Sequence, residues 1–308
     1  MKLWVGVTDE DWFRRHVTSH PDEVNFWQPS GAQQFRALRP GEPFLFKLHS
    51  PKNFIVGGGF FVRYSQLPAS LAWDAFGIKN GVTSLHDLKT RVERYRTGDI
   101  GPDPIIGCNV LTDPFFLNER DWIPAPSSWA PNIVRGKTFD TNEAEGRDLW
   151  ARIEQVRAMT RRIADPAAES MQDGPRFGAE FLTQSRLGQG AFRVLVTDAY
   201  QRRCAITGEK TLPVLEAAHI KPYAVGGQHR INNGLLLRSD LHKLFDCGYI
   251  TVTLELRIEV SSRLRQDWHN GREYYAYHGK ELTVLPNEDT YLPRREFLQW
   301  HNEHLFKA

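Results

Sequence analysis

The sequence predicts an α+β protein of two domains joined by a helix, and three features carry that reading. Between Cys204 and Asp246 an apolar run, a turn-rich polar segment, a second apolar run and an amphipathic stretch follow one another, in the order strand, loop, strand, helix. Before residue 130, β-like runs alternate with short helical patterns and Pro/Gly turns. Between these regions, residues 142–163 keep helical spacing, with Leu149, Ile153, Val156 and Met159 on one side and charges opposite, until Asp165-Pro166 ends the pattern. The expected division is an N-terminal β-barrel domain at 1–135, a helical linker at 136–175 and a C-terminal domain at 176–308 with its motif core at 204–250.

Composition narrows the function classes. A chain of 308 residues is long enough for two ordinary cores, and 41% hydrophobic with 25% charged residues describes a soluble globular protein. No apolar run approaches the length of a membrane span, and the start, MKLWVGVTDEDWF, lacks a basic region followed by a continuous apolar one. The expected location is the cytoplasm. The cysteines Cys108, Cys204 and Cys247 are odd in number and widely spaced, as suits buried thiols in a reducing compartment. A net charge of +2 excludes binding of nucleic acid through bulk charge. Residues 186–265 hold 12 Lys and Arg against 7 Asp and Glu, a local +5 that suits phosphate contacts.

In the N-terminal part, Leu3–Val7 reads as a first strand, and Thr8 or Asp9 as the cap of a helix carrying Trp12 and Phe13. Phe44–Leu48 and Phe54–Tyr64 read as strands joined by the turn Ser50-Pro51-Lys52-Asn53. The triplet Gly57-Gly58-Gly59 lets the second of these bend. Residues 67–77 and 84–95 read as helices, residues 105–111 as a strand, and Asp113–Pro131 as an extended, Pro-rich wrap.

In the C-terminal part, Val214–Ala218 reads as a strand with His219 at its exit. Asn233 precedes the second strand, and His242 lies on the helix begun by Ser239-Asp240. Phosphodiester hydrolysis needs such a set. A neutral imidazole near pH 7 takes a proton from attacking water, and a divalent cation neutralises charge on the phosphoryl and leaving oxygens. His242 and Asp246 are four residues apart and share one helix face, from which both can reach a cation. Asn233 can bridge backbone groups across the loop and hold strand against helix.

The segments AAHIKPY, INNGLLL and LHKLFD resemble the His-Asn-His (HNH) nuclease motif of the ββα-metal fold, and more closely the nuclease part of modification-dependent restriction endonucleases. The resemblance, spanning roughly residues 186–260, implies His219 as general base, Asn233 as the loop-orienting residue and His242 as a metal ligand, with Asp246 as a second ligand. Ala218 stands where many HNH nucleases carry a further ligand, and Glu216 is the candidate substitute. Cys204 is followed by Thr207, and Arg238 and Leu241 stand where a second cysteine pair would be, so no structural zinc is expected. The implied cofactor is one divalent ion, Mg²⁺ or Mn²⁺. Arg193, Lys221, Arg238 and Lys243 are the candidate contacts to the DNA backbone.

The segments KLWVGVTDEDW, VNFWQPSGAQQFRALRPGE and NFIVGGG resemble the EVE-like members of the PUA superfamily, across roughly residues 1–130. Relatives in that superfamily hold RNA or a modified base flipped from a duplex, which stacking on aromatic rings helps to stabilise. Trp27, Trp73 and Phe76 are the candidate cage, with Asn25 and Asp74 as edge readers; the competing role for these aromatics is core filling. The combined expectation is a modification-dependent DNA endonuclease acting on double-stranded DNA, dimeric at least on DNA because one such site cuts one strand. The alternatives are a decayed nuclease serving as a binding module and an HNH nuclease that reads an unmodified sequence.

Overall fold

The computed structural model describes residues 1–96, 100–164, 177–178, 181–182 and 187–308, which divide into units at Met1–Ser185 and Arg186–Ala308. The expected boundary at 165–175 lies outside the described residues.

The first unit opens with β1 (Lys2–Thr8) and α1 (Glu10–Ser19), followed by β2 (Glu23–Gln28), β3 (Pro43–Leu48) and the long β4 (Phe54–Pro68). Then come α2 (Ala69–Phe76), α3 (Leu85–Arg94), β5 (Ile105–Phe116), β6 (Ile123–Pro124), β7 (Gly136–Asp140) and α4 (Ala144–Ala164). The strands form a mixed sheet in the order β2-β5-β4-β3-β1-β7, with β1 and β3 parallel and β6 against β4. Side-chain alternation gives the sheet a core on each face. Phe44 and Phe46 join Trp12, Phe13 and Phe26 on one face, whereas Leu3, Val5 and Leu45 join Leu149 and Ile153 of α4 on the other.

Three expectations change in this unit. First, β7 pairs with β1 and α4 packs on the sheet, so residues 136–153 belong to this unit's core instead of forming a linker. The stripe read on α4 also leaves the core at its end: Leu149 and Ile153 are buried, but Met159 is 56% exposed. Second, β5 continues through Asp113-Pro114 to Phe116. Asp113 takes positive φ there, and the β4–β5 register shifts opposite this pair and again opposite Val110-Leu111, so the proline is accommodated in an irregular ladder. Third, the glycine triplet answers close approach as well as bending. A Cβ on Gly57 would lie 2.3 Å from the Phe115 carbonyl oxygen, and one on Gly58 would lie 2.8 Å from that of Phe44.

The second unit begins with α5 (Gln189–Ala199), then the antiparallel hairpin of β8 (Leu215–His219) and β9 (Gly234–Arg238), then α6 (Ser239–Asp246). A second hairpin, β10 (Ile250–Val252) with β11 (Ile258–Val260), is followed by α7 (Arg263–Trp268), α8 (Arg272–Tyr275) and α9 (Arg295–His304). One core runs through α5, both hairpins, α6 and α9, from Phe192 and Val196 through Leu235, Leu237 and Phe245 to Leu298. Cys204 is buried at the start of this core, but Cys247 is exposed, contrary to the expectation of three buried thiols. No helix among the described residues is long and apolar enough to cross a membrane.

His301, for which the sequence offers no partner, fastens α9 to α6. Its Nε2–H donates to the Phe245 carbonyl at 3.1 Å, and its Nδ1 accepts from the Thr251 hydroxyl at 2.8 Å. Its ring stacks on Phe245, 3.8 Å between centroids. Burial holds this imidazole neutral, pushed down to about 4.

Candidate active site

The β8–β9 hairpin pairs His219 with Gly234, so the end of one strand meets the start of the next, and residues 220–233 form the loop between them. Asn233 closes that loop. Fully buried, its Oδ1 accepts from Lys221 N–H at 2.9 Å, while its Nδ2 donates to the carbonyls of Lys221, at 2.9 Å, and Gln228, at 3.0 Å. Its own carbonyl accepts from Ile220 N–H. One amide thus ties both ends of the loop, which is the bridging expected of it; the tie is within the loop and not from strand to helix. Gly234 follows in extended conformation, and a Cβ there would lie 2.5 Å from Val196 and 3.1 Å from Phe192. Glycine at this position lets α5 lie directly on the hairpin.

That contact sets the plane of His219. Phe192 of α5 stacks on the imidazole, 3.9 Å between centroids at 14°. At the ring edge, His219 Nε2 lies 2.9 Å from His229 Nδ1, and His229 in turn stacks on Tyr223 at 4.4 Å and 7°. Burial first, then repulsion from His229 and His242, pushes His219 down to about 4, so the ring is neutral at pH 7. The sequence reading missed His229 and Phe192. The only signal for either was a histidine ten residues past His219 across a glycine-rich loop.

Opposite, His242 of α6 sits between two carboxylates. Its Nδ1 is 2.6 Å from Glu216 Oε2, and its Nε2 is 3.3 Å from Asp246 Oδ2, the i,i+4 partner read from the sequence. Burial, with Glu216 nearby, raises the Asp246 carboxyl above its ordinary range, against the pull of His242. Ala218, by contrast, is fully buried. Its side chain belongs to the core, and Glu216 is the β8 carboxylate that reaches the histidine. Glu216, His219, His242 and Asp246 line one cleft of about 470 Å³ together with Gln189, Phe192 and Arg193.

Among the described residues no three His, Cys, Asp or Glu side chains are arranged as a ready metal cage. The donor chemistry nonetheless suits a hard divalent cation: two carboxylates flank one imidazole. His242 Nδ1 is hydrogen-bonded to Glu216, so ligation through that nitrogen requires it to exchange the carboxylate for the ion.

Residues 204–253 match the family model described as HNH endonuclease. The second unit carries an HNH endonuclease domain. No curated protein matches the chain. Among solved structures, the ASCH protein of Zymomonas mobilis is 10% identical, covering 48% of this chain and 94% of that one at TM-score 0.32. A modification-dependent restriction endonuclease, TagI, is 12% identical, covering 92% of this chain and 75% of that one at TM-score 0.27.

One thiol closes the turn at the start of the HNH domain. Cys204 Sγ accepts from the backbone N–H of Thr207 at 3.5 Å and of Arg238 at 3.3 Å, and Leu241 is buried in the same core. The candidate DNA contacts of the HNH domain differ in placement. Arg193 lines the cleft and Lys243 is exposed on α6. Lys221 Nζ lies over the Trp300 ring at 5.6 Å. Arg238 makes a two-pronged pair with Asp240, at 2.6 and 2.8 Å, and Glu273 lies 3.5 Å from the same guanidinium. Hydrogen bonding to Asp240 raises its pKa still further.

In the first unit, Asn25 and Trp27 of β2 converge on Asn80, a residue the sequence reading did not single out. Asn25 Nδ2 donates to Asn80 Oδ1 at 2.9 Å, and Trp27 Nε1 donates to the Asn80 carbonyl at 3.0 Å. Asn25 Oδ1 is buried and has no hydrogen-bond partner among the described residues. Phe76, at the end of α2, is 3% exposed, whereas Trp73 is half-buried and Asp74 exposed. Of the five candidate base-pocket residues, Asn25 and Trp27 share a hydrogen-bonded centre.

Proposed function

We propose that the protein is a modification-dependent DNA endonuclease in which the HNH domain hydrolyses a phosphodiester and the first unit reads a modified base. The observation that carries the catalytic half is that His219 and the Glu216–His242–Asp246 cluster line the same cleft. Neutral His219 accepts a proton from water as the water oxygen forms its bond to phosphorus. The P–O3′ bond breaks with its electron pair on the 3′-oxygen, which takes a proton from solvent, leaving 5′-phosphate and 3′-hydroxyl ends. Glu216, His242 and Asp246 would hold one divalent ion, Mg²⁺ or Mn²⁺, which when bound neutralises charge on the phosphoryl and leaving oxygens. Arg193 on the cleft wall and Lys243 on α6 suit the flanking phosphates.

For the reading half, support comes from the PUA-like sequence pattern and from the buried, unpaired amide oxygen of Asn25 beside Trp27. A base swung out of the duplex would stack on an aromatic ring and meet that amide at its edge. One cleft cuts one strand, so double-strand cleavage calls for two protomers or two binding events.

The test is digestion of paired plasmids that differ only in cytosine modification, with and without Mg²⁺ or Mn²⁺. Cutting of the modified plasmid alone, dependent on the cation, is the expected outcome; equal cutting of both removes the reader. His219→Ala is expected to lower nicking by about 10²–10⁴-fold with DNA affinity kept. The hydrogen bond from His242 Nδ1 to Glu216 favours a second reading, a decayed nuclease that only binds, and cation-independent binding without cleavage in any divalent ion would select it.

A further inference from the structure

His229 belongs to none of the three HNH motif positions, yet it touches His219 edge to edge, Nε2 to Nδ1, at 2.9 Å. The contact is built in. Asn233 Nδ2 holds the carbonyl of Gln228, the residue immediately before His229, and Tyr223 backs the His229 ring from the same loop. The amide that ties the loop therefore also delivers His229 to His219. Phe192 meanwhile fixes the His219 ring plane, leaving rotation about its own axis as the freedom that His229 removes.

We propose that His229 is a positioning residue for the hydrolytic step: it accepts the hydrogen bond from His219 Nε2–H, fixing the tautomer whose Nδ1 carries the lone pair, and shares the proton that His219 takes from water. This rests on the reading of His219 as general base, because only that reading requires an open lone pair. Two neutral imidazoles meeting edge to edge hold one proton between them. If His229 donated instead, His219 would carry its proton on Nδ1 and have no lone pair for water. Among the described residues, the one hydrogen bond of the His219 ring is at Nε2, and none is made at Nδ1.

Protons balance across the pair. Water gives one proton to His219 Nδ1 as its oxygen bonds to phosphorus, and the Nε2 proton moves toward His229 Nδ1. The pair, now carrying one extra proton and one positive charge, resets by releasing a proton to solvent. The ring of His229 stacks on the exposed Tyr223, whereas that of His219 is pressed against buried Phe192.

The test uses the full chain labelled with ¹⁵N, reading histidine ring tautomers by long-range ¹H–¹⁵N NMR at pH 7, with His219→Ala to assign the signals. The wild type is expected to show His219 protonated at Nε2, and His229→Ala to show a mixture. In single-turnover nicking, His229→Ala is expected to fall by about 100-fold at unchanged DNA Kd. His229→Asn, whose Oδ1 can accept the same bond but not a proton, is expected to restore the tautomer and part of the rate, with an altered pH–rate profile. An Nδ1-protonated His219 in the wild type, or wild-type nicking by a folded His229→Ala protein, would overturn the proposal. A wild type that cleaves in no divalent ion would sink the nuclease reading instead, and the tautomer measurement tells the two failures apart.

Discussion

Glu216 and His242, twenty-six residues apart in the chain, meet at 2.6 Å between Oε2 and Nδ1. The contact joins β8 to α6 across the cleft and presents a carboxylate and an imidazole side by side. Replacing the carboxylate by its neutral isostere keeps the shape and removes the charge that a cation needs. Glu216→Gln should therefore raise the Mg²⁺ or Mn²⁺ concentration for half-maximal nicking roughly tenfold or more. Asp246→Asn should do so less, because Asp246 is 52% exposed and lies farther from the histidine. Metal titrations of nicking by both variants check the order.

Asn233→Ala should destabilise the HNH domain. It strips partners from Lys221 N–H and from the carbonyls of Lys221 and Gln228, at about 1–3 kcal/mol for each group that stays buried and unpaired. Asn233→Asp should be worse than alanine, since it sets a second acceptor against two carbonyl oxygens. Thermal melts followed by circular dichroism give the ranking wild type, alanine, aspartate.

His301 predicts how stability responds to acid. Its folded pKa, about 4, lies below the ordinary 6.5, so between these values the unfolded chain binds a proton that the folded chain refuses. Stability is full above about pH 6.5, falls as pH drops through the window and levels off near pH 4, a loss on the order of 3 kcal/mol from this group. His219, held down by burial in the same way, steepens the same window. Urea unfolding at a series of pH values should show the slope, and His301→Gln should make it shallower.

What the sequence disclosed and what it withheld divide along a physical line. His219, Asn233, His242 and Asp246 were readable because strand exit, loop end and helix face are local patterns, and Asp246 reaches His242 through helical spacing alone. Glu216 was named through its neighbour Ala218, although only the fold shows that the alanine is core and the glutamate turns to the histidine. His229, Phe192 and Asn80 escaped because each acts through a contact that exists only after distant segments pack. Gly234 is extended and serves the approach of α5, a demand set by Val196 and Phe192 about forty residues earlier. The Asp113-Pro114 pair misled in the other direction: proline argued against a strand, and positive φ at Asp113 lets the strand continue.

The sulfur of Cys204 gathers two backbone N–H groups, those of Thr207 and Arg238, at one buried turn. A newly made polypeptide can complete that turn with atoms it already owns. On the proposed reading, scarcity of cations would leave a shaped but idle blade, and chelation would separate the question of whether the scaffold stands from the question of whether it cuts.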